Sequence, residues 1–205
     1  MALRNHQLQA LQDYLPDNTL EDVLYFMHTY KIHLILRKDR KSILGDYRPA
    51  HREKPHTISI NISLNRWHFL ITYLHEVAHL VNHLNHGRQV SPHGKEWKTV
   101  FALLLKRFTD KGVFPDDIHL ALQKSLQSPA ASTCSDPLLF RVLHRYDDKP
   151  TGHTLVENIG LGNSFQTPDG RKFTVHSKRR TRYECVENAT GKRYLFPGIY
   201  EVRAE

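Results

Sequence analysis

The sequence predicts an α+β protein, with a mainly helical first part that holds a short β-hairpin or sheet and a small antiparallel β domain behind it. Three observations predict this. From Arg66 to Leu84 there is no Gly or Pro, and Leu70, Leu74, Val77, Val81 and Leu84 recur at steps of four and three, the period of one helical face. Ahead of that helix, two short runs near residues 43–48 and 57–62 have the composition of strands. From Thr151 onward, short aromatic and β-branched runs alternate with Asp169-Gly170 and Thr190-Gly191 turns, the punctuation of antiparallel β structure.

Taken in order, the first expected element is a short helix near residues 5–14. Asn18-Thr19-Leu20-Glu21 reads as a capping box opening a helix that runs to about Tyr30. Ile32, Leu34 and Leu36 alternate with other residues as a strand would, and Lys38-Asp39-Arg40-Lys41 turns the chain. After the two strands comes the long helix, capped by Asn65 or Ser63. A second helix should follow Ser91-Pro92-His93-Gly94, since Pro is tolerated in a first turn. Its stripe is Trp97, Val100, Phe101, Leu104, Leu105 and Phe108, and Lys111-Gly112 closes it. Asp116 or Asp117 opens another helix to about Leu126, and Asp136-Pro137 starts one ending near Tyr146. The clearest linker is 128–136, Ser-Pro-Ala-Ala-Ser-Thr-Cys-Ser-Asp. About five short strands fill the remainder, including runs at 172–176, 181–186 and 193–196. The expected division is therefore 1–127, a linker and helix over 128–150, and a β domain over 151–205. A chain of 205 residues with 40% hydrophobic content can bury a real core in that arrangement.

The chemistry centres on His75-Glu76-Val77-Ala78-His79. Two imidazoles one helical turn apart can grip a single zinc ion, and Glu76 lies beside them as a general base. A third ligand is needed, with the fourth position left to water. His83, His86, His93 and Glu96 are the candidates. Three histidines along one straight helix cannot converge on one ion, because each turn adds about 5.4 Å of rise; His83 is therefore a rim residue. His86 sits in a turn sequence, Asn-His-Gly. The metzincin spacing would need Gly at 82 and His at 85, where this chain has Asn82 and Asn85. Glu96 would suit zincins that take a carboxylate from a second helix. His93, at the leading end of that helix, has the best local logic.

HEVAH, a polar loop, and then His93-Gly94-Lys95-Glu96-Trp97 resemble the SprT-like metallopeptidases, the family that includes Spartan. Ser42-Ile43-Leu44-Gly45-Asp46-Tyr47-Arg48 followed by Ile58-Ser59-Ile60-Asn61 looks like the hairpin preceding that family's zinc helix. The resemblance covers roughly residues 18–110. It implies a zincin-like fold, one catalytic Zn2+ held by His75, His79 and His93, and Glu76 as the catalytic residue. It also implies proteolysis of DNA-associated or DNA-crosslinked proteins, often stimulated by DNA. Zinc in such a site lowers the pKa of water and polarises the scissile carbonyl, while Glu76 carries the proton. Tyr47, Arg48 and Tyr73 are candidates for the group that steadies the oxyanion. Many such proteins carry a zinc ribbon after the catalytic part. With only Cys134 and Cys185, far apart and in no CxxC, this chain cannot build a four-cysteine zinc site of its own. Both thiols are expected reduced, as in a cytosolic protein.

Net charge is +8 and the pI about 9.5, which favours polyanions and chiefly nucleic acid. Residues 31–54 hold eight Lys or Arg against three Asp or Glu. Lys178, Arg179, Arg180 and Arg182 cluster beside Tyr183, a combination suited to phosphate contact and base stacking. The plain alternative is a charged strand edge that guards against aggregation. Met-Ala-Leu-Arg-Asn-His-Gln contains no apolar signal segment and no run approaches membrane-spanning length, so a cytoplasmic protein, at the nucleoid or chromatin, is expected. The expected partners are a protein substrate and DNA, with no membrane. Two other functions fit the same residues: a nucleic-acid-binding protein with a structural zinc, and a general zincin peptidase unrelated to DNA.

Overall fold

A three-stranded sheet laid on one long helix organises the first part of the chain. The strands are β1 (Ile32–Arg37), β2 (Gly45–Arg48) and β3 (His56–Asn61), and the helix, with α1 (Leu20–Thr29) preceding the sheet, is α2 (Arg66–His86). The computed structural model describes residues 10–38, 40, 43–87, 89–127, 136–148 and 152–205. Contacts divide the chain into two units, Met1–Asp147 and Asp148–Glu205.

In the first unit β3 is the central strand, parallel to β1 and antiparallel to β2. Alternation gives it two faces. Ile58 and Ile60 are fully buried, whereas Ser59 and Asn61 point the other way and are buried among polar partners. The antiparallel register sets Gly45 opposite Ile60 and Tyr47 opposite Ile58, so these four share the face toward α2. Asn65 caps α2, its side chain accepting from the His68 amide at 3.0 Å. Its amide nitrogen also donates to Leu143 O at 2.9 Å and Asp147 Oδ1 at 2.6 Å, tying the start of α2 to the end of α5 (Pro137–His144). Gly87 ends the helix at φ 61°, a left-handed value that a side chain would strain.

α3 (Lys95–Thr109) packs along α2, and α4 (Asp116–Gln127) and α5 complete the unit. Trp97, Leu105, Phe108, Ile118, Leu122 and Leu143 are all within the core. Asp22 of α1 is buried and bonded to Arg107 of α3 and to Lys111 just beyond it. Burial alone would raise its pKa, but the bonds from Lys111 and Arg107 outweigh that and hold the carboxyl below its ordinary value.

Several sequence expectations shift here. The capping box does not form: the Thr19 hydroxyl donates to Pro16 O at 2.6 Å and makes no bond to the helix it precedes. Asn18 adopts φ 62°, and the turn it makes directs Thr19 backward. The apolar stripe of α2 ends early, with Leu84 at 52% exposure; the last turn projects beyond the core. α2 continues through His86, which the sequence places just after the helix. Of the helix expected at 5–14, residues 10–12 are helical and those up to 9 lie outside the described residues. So do 128–135, most of the expected linker, and with them Cys134.

The second unit is a six-stranded antiparallel sheet in the order β4-β9-β5-β6-β7-β8. Its strands are β4 (His153–Leu155), β5 (Ser164–Gln166), β6 (Lys172–Arg179), β7 (Arg182–Glu187), β8 (Arg193–Pro197) and β9 (Glu201–Ala204). Phe165, Phe173, Val175, Cys185, Phe196 and Val202 form its core. The register of β6 shifts between Val175 and Ser177, a bulge that adds twist where the small sheet must curl around this core. Cys185 is a free, fully buried thiol, and burial pushes its pKa up to about 11.

Candidate metal centre

α2 carries His75 and His79 on one face, and α3 brings Trp97 under them. Trp97 is fully buried, and its ring lies 4.7 Å from the His75 ring, 5.3 Å from His79 and 4.7 Å from His93, centroid to centroid. One indole thus floors all three imidazoles. His93 comes from a turn ahead of α3, where the Gly94 amide bonds Ser91 O at 3.0 Å. Gly94 caps α3 with a backbone so closely covered that a Cβ would lie 3.1–3.3 Å from Glu96 Oε2 and from Ser91. That tight turn is how a residue outside both helices reaches the helix face.

The three side chains meet through Nε2. His79 Nε2 and His93 Nε2 stand 3.1 and 3.4 Å from His75 Nε2. Two nitrogens bound to one tetrahedral zinc at about 2.0–2.1 Å would stand roughly 3.3–3.4 Å apart. The spacing therefore fits a zinc ion with a fourth position open. Protonation fits as well. Burial, and then the neighbouring imidazoles, push the pKa of His75 down to about 3. Burial and His93 push His79 down to about 4, and burial lowers His93. Each ring is kept neutral, with a lone pair free to donate.

Glu76 is 6% exposed. Burial, and then the Asp46 carboxylate, push its pKa up to about 8, against the lowering effect of Arg40 and of the backbone N–H of Tyr47. Asp46 and Tyr47 belong to β2, and Arg40 lies between β1 and β2 in the chain. Arg40 donates to Asn61 Oδ1 at 3.0 Å and Ser59 Oγ at 2.9 Å, and pairs with Asp46. Asp46 also accepts from Ser59 and, at 2.9 Å, from Arg48. The polar face of β2 and β3 is thus a closed ion-pair network one residue away from the edge that meets Glu76.

The structure brings His75, His79 and His93 together, and Glu76 follows His75 on α2. Glu96 is not among the grouped ligand atoms; its Oε2 lies against Gly94. His83 stays outside the cluster, with its ring 6.1 Å from that of Tyr47, and His86 is exposed. Tyr73 is unsuited to steady an oxyanion, because it is fully buried and its hydroxyl donates to Val23 O at 3.3 Å. Arg48 is mostly exposed and paired with Asp46, and the Tyr47 hydroxyl is engaged with His56 Nδ1 at 2.9 Å. The roles of Trp97, Arg40 and Gly45 were missed by sequence reasoning. For Trp97 the signal was present, four residues after His93 at the head of an amphipathic helix.

In the second unit Lys178, Arg179, Arg180 and Arg182 occupy the β6–β7 hairpin, with Arg180 at its turn with φ 49°. All four are exposed. Arg179 pairs with the buried Glu184, which Arg193 also contacts. Tyr183 is only 8% exposed and Lys178 Nζ covers its ring at 5.6 Å. The expected stacking platform for bases is therefore closed, because the ring belongs to the core of the sheet.

Fold and site define a mixed helix–strand protein built on a helix that presents two imidazoles and one buried carboxylate, with a third imidazole supplied by the turn ahead of the next helix. The chain belongs to the SprT-like family, whose profile matches residues 10–113. It is similar to Protein SprT of Pseudomonas aeruginosa (strain UCBPP-PA14), with 33% identity over 94 residues, 45% of this chain and 51% of that protein. The chain thus aligns with about half the length of that relative. No solved structure matches it. No helix among the described residues is long and apolar enough to cross a membrane.

Proposed function

We propose that the chain is a zinc-dependent metallopeptidase with a zincin-like catalytic unit, hydrolysing peptide bonds in DNA-associated or DNA-crosslinked proteins. One observation carries this reading: three neutral imidazoles converge through Nε2 beside a buried carboxylate that, among the described residues, has no ion-pair partner. A purely structural ion would need no carboxylate next to it. His75, His79 and His93 would hold the ion. When bound, it supplies Lewis acidity, acidifying water and polarising the scissile carbonyl. Glu76 takes the proton from the attacking water and returns it to the leaving amine. Its burial suits that shuttle, since taking the carboxylate out of water strengthens it as a proton acceptor.

The DNA part of the proposal rests on charge. With net charge +8, the chain attracts polyanions. The exposed hairpin at 178–182 offers phosphate contacts without base stacking, so the expected binding is insensitive to sequence. Such a protein would work in the cytoplasm, at the nucleoid or chromatin. The test is cleavage of a basic DNA-binding protein by the zinc-loaded chain with and without single-stranded DNA. Faster cleavage with DNA, fading as salt rises, is expected. Rapid turnover of short peptides with no response to DNA would instead make the chain a general peptidase.

A further inference from the structure

The segment Gly45-Asp46-Tyr47 belongs to β2, an outer strand of its sheet, and meets the candidate carboxylate. Gly45 carries no positive φ, so its backbone would accept any residue. Space is what it lacks. A Cβ there would lie 2.8 Å from Thr72 Cγ2, 3.0 Å from Glu76 Oε1 and 3.1 Å from Glu76 Cγ. The first contact is closer than real Cβ atoms come to anything, and the other two press on the carboxylate itself. Two residues along, the backbone N–H of Tyr47 acts on that carboxylate, lowering its pKa against the effect of burial. On the helix side Thr72 stands one turn before Glu76. Its hydroxyl is buried with no hydrogen-bond partner among the described residues, so packing of its methyl on Gly45, rather than a bond of its own, sets where the side chain sits.

We propose that Gly45 is a positioning residue: its missing side chain leaves a seat, walled by Thr72 and closed by the Tyr47 amide, that holds the Glu76 carboxylate in place at the three-histidine cluster. The role in hydrolysis rests on the metallopeptidase reading above; the seat itself does not. Asp46 and Arg40 lock the strand from its other face, through Ser59 and Asn61. The strand therefore cannot simply back away from a larger residue at position 45, and the carboxylate is what moves.

Two measurements test this. In the full-length chain, Gly45→Ala should bind one Zn2+ with affinity within a few-fold of wild type, because the atoms nearest to a Cβ at position 45 belong to Thr72 and Glu76 and not to the three imidazoles. Its kcat should fall by about a hundredfold, the scale of a 1 Å misplacement of a reacting group, with little change in KM. Thr72→Ser, which removes the methyl facing the new Cβ, should recover part of that loss in the double variant. The second measurement is independent of activity and leaves the strand untouched. Amide exchange at Tyr47 should be slow in the wild-type chain and roughly tenfold or more faster in Glu76→Ala, since the amide's acceptor is removed. An unchanged kcat in Gly45→Ala, or Tyr47 exchange indifferent to Glu76→Ala, overturns the proposal. Tyr47 exchange that responds in a chain showing no zinc-dependent cleavage leaves the seat standing and removes the peptidase reading instead.

Discussion

The imidazole cluster of the first unit and the basic hairpin of the second are both made of residues that favour water, and the two units treat them in opposite ways. His75 and Glu76 are pulled out of solvent, to 9% and 6% exposure, and no counter-ion pairs with them among the described residues. Lys178, Arg179, Arg180 and Arg182 stay in water, and one of them is already matched by Glu184. Burying unpaired polar groups costs free energy that a fold tolerates where something else is gained. Exposed charges on a strand edge cost little and need no such gain. The difference is a physical reason to place chemistry at the first site and, at most, electrostatic attraction at the second.

The largest expected effect is loss of a ligand. His93→Ala should abolish tight Zn2+ binding while leaving the apo fold intact, because His93 sits in a turn outside the core helices. Wild-type protein loaded with zinc should melt roughly 10 °C above its apo form, on the scale of about 4 kcal/mol from an ion at a thousandfold its Kd. His93→Ala should show no such shift. A variant that keeps the full shift in calorimetry would assign the third ligand elsewhere.

Next comes pH. The folded pKa values of His75 and His79 are depressed, so their contribution to apo stability is present above about 6.5 and is lost as pH falls toward 3–4. For His75 alone this is on the order of a few kcal/mol. Glu76 has the opposite sign. Its folded pKa is raised from 4.5 to about 8, so its contribution is complete below 4.5 and is lost as pH rises through 8. Apo wild type should therefore lose stability on both flanks. Chemical denaturation against pH should show Glu76→Gln losing the alkaline slope and keeping the acid one.

The smallest effects belong to the hairpin, and they sharpen the contrast within it. Arg180→Ala and Arg182→Ala should each lower the slope of log affinity against log salt by about 0.7 for single-stranded DNA. Arg179→Ala should change it less, since Glu184 already neutralises that charge. Equal effects from all three would mean the Arg179–Glu184 pair opens on binding.

What was legible in the sequence follows the same division. The period of α2, its Asn65 cap and the HEVAH spacing are local, and local signals survive folding. His93 was legible because its turn and the helix behind it have their own punctuation. Arg40, Asp46 and Gly45 were not, although Gly45-Asp46-Tyr47 was in view. Their roles arise only when β2 lands on α2, a contact between segments distant in the chain, with no periodicity of its own. Thr19 failed as a cap for a related reason: the turn at Asn18 fixed its direction, which the four-residue signature does not encode. In the second unit the strands were legible from their turns, but not the bulge in β6 or the burial of Tyr183, which depend on how the sheet curls.

The central claim is that the three imidazoles and Glu76 form one hydrolytic site. It is tested most directly by zinc-loaded Glu76→Gln beside wild type, with metal content and cleavage of a basic protein measured on the same preparations. One zinc per chain in both, and cleavage reduced about 10²–10⁴-fold in the variant, is the predicted result. Equal cleavage by the two proteins at equal zinc content would contradict it.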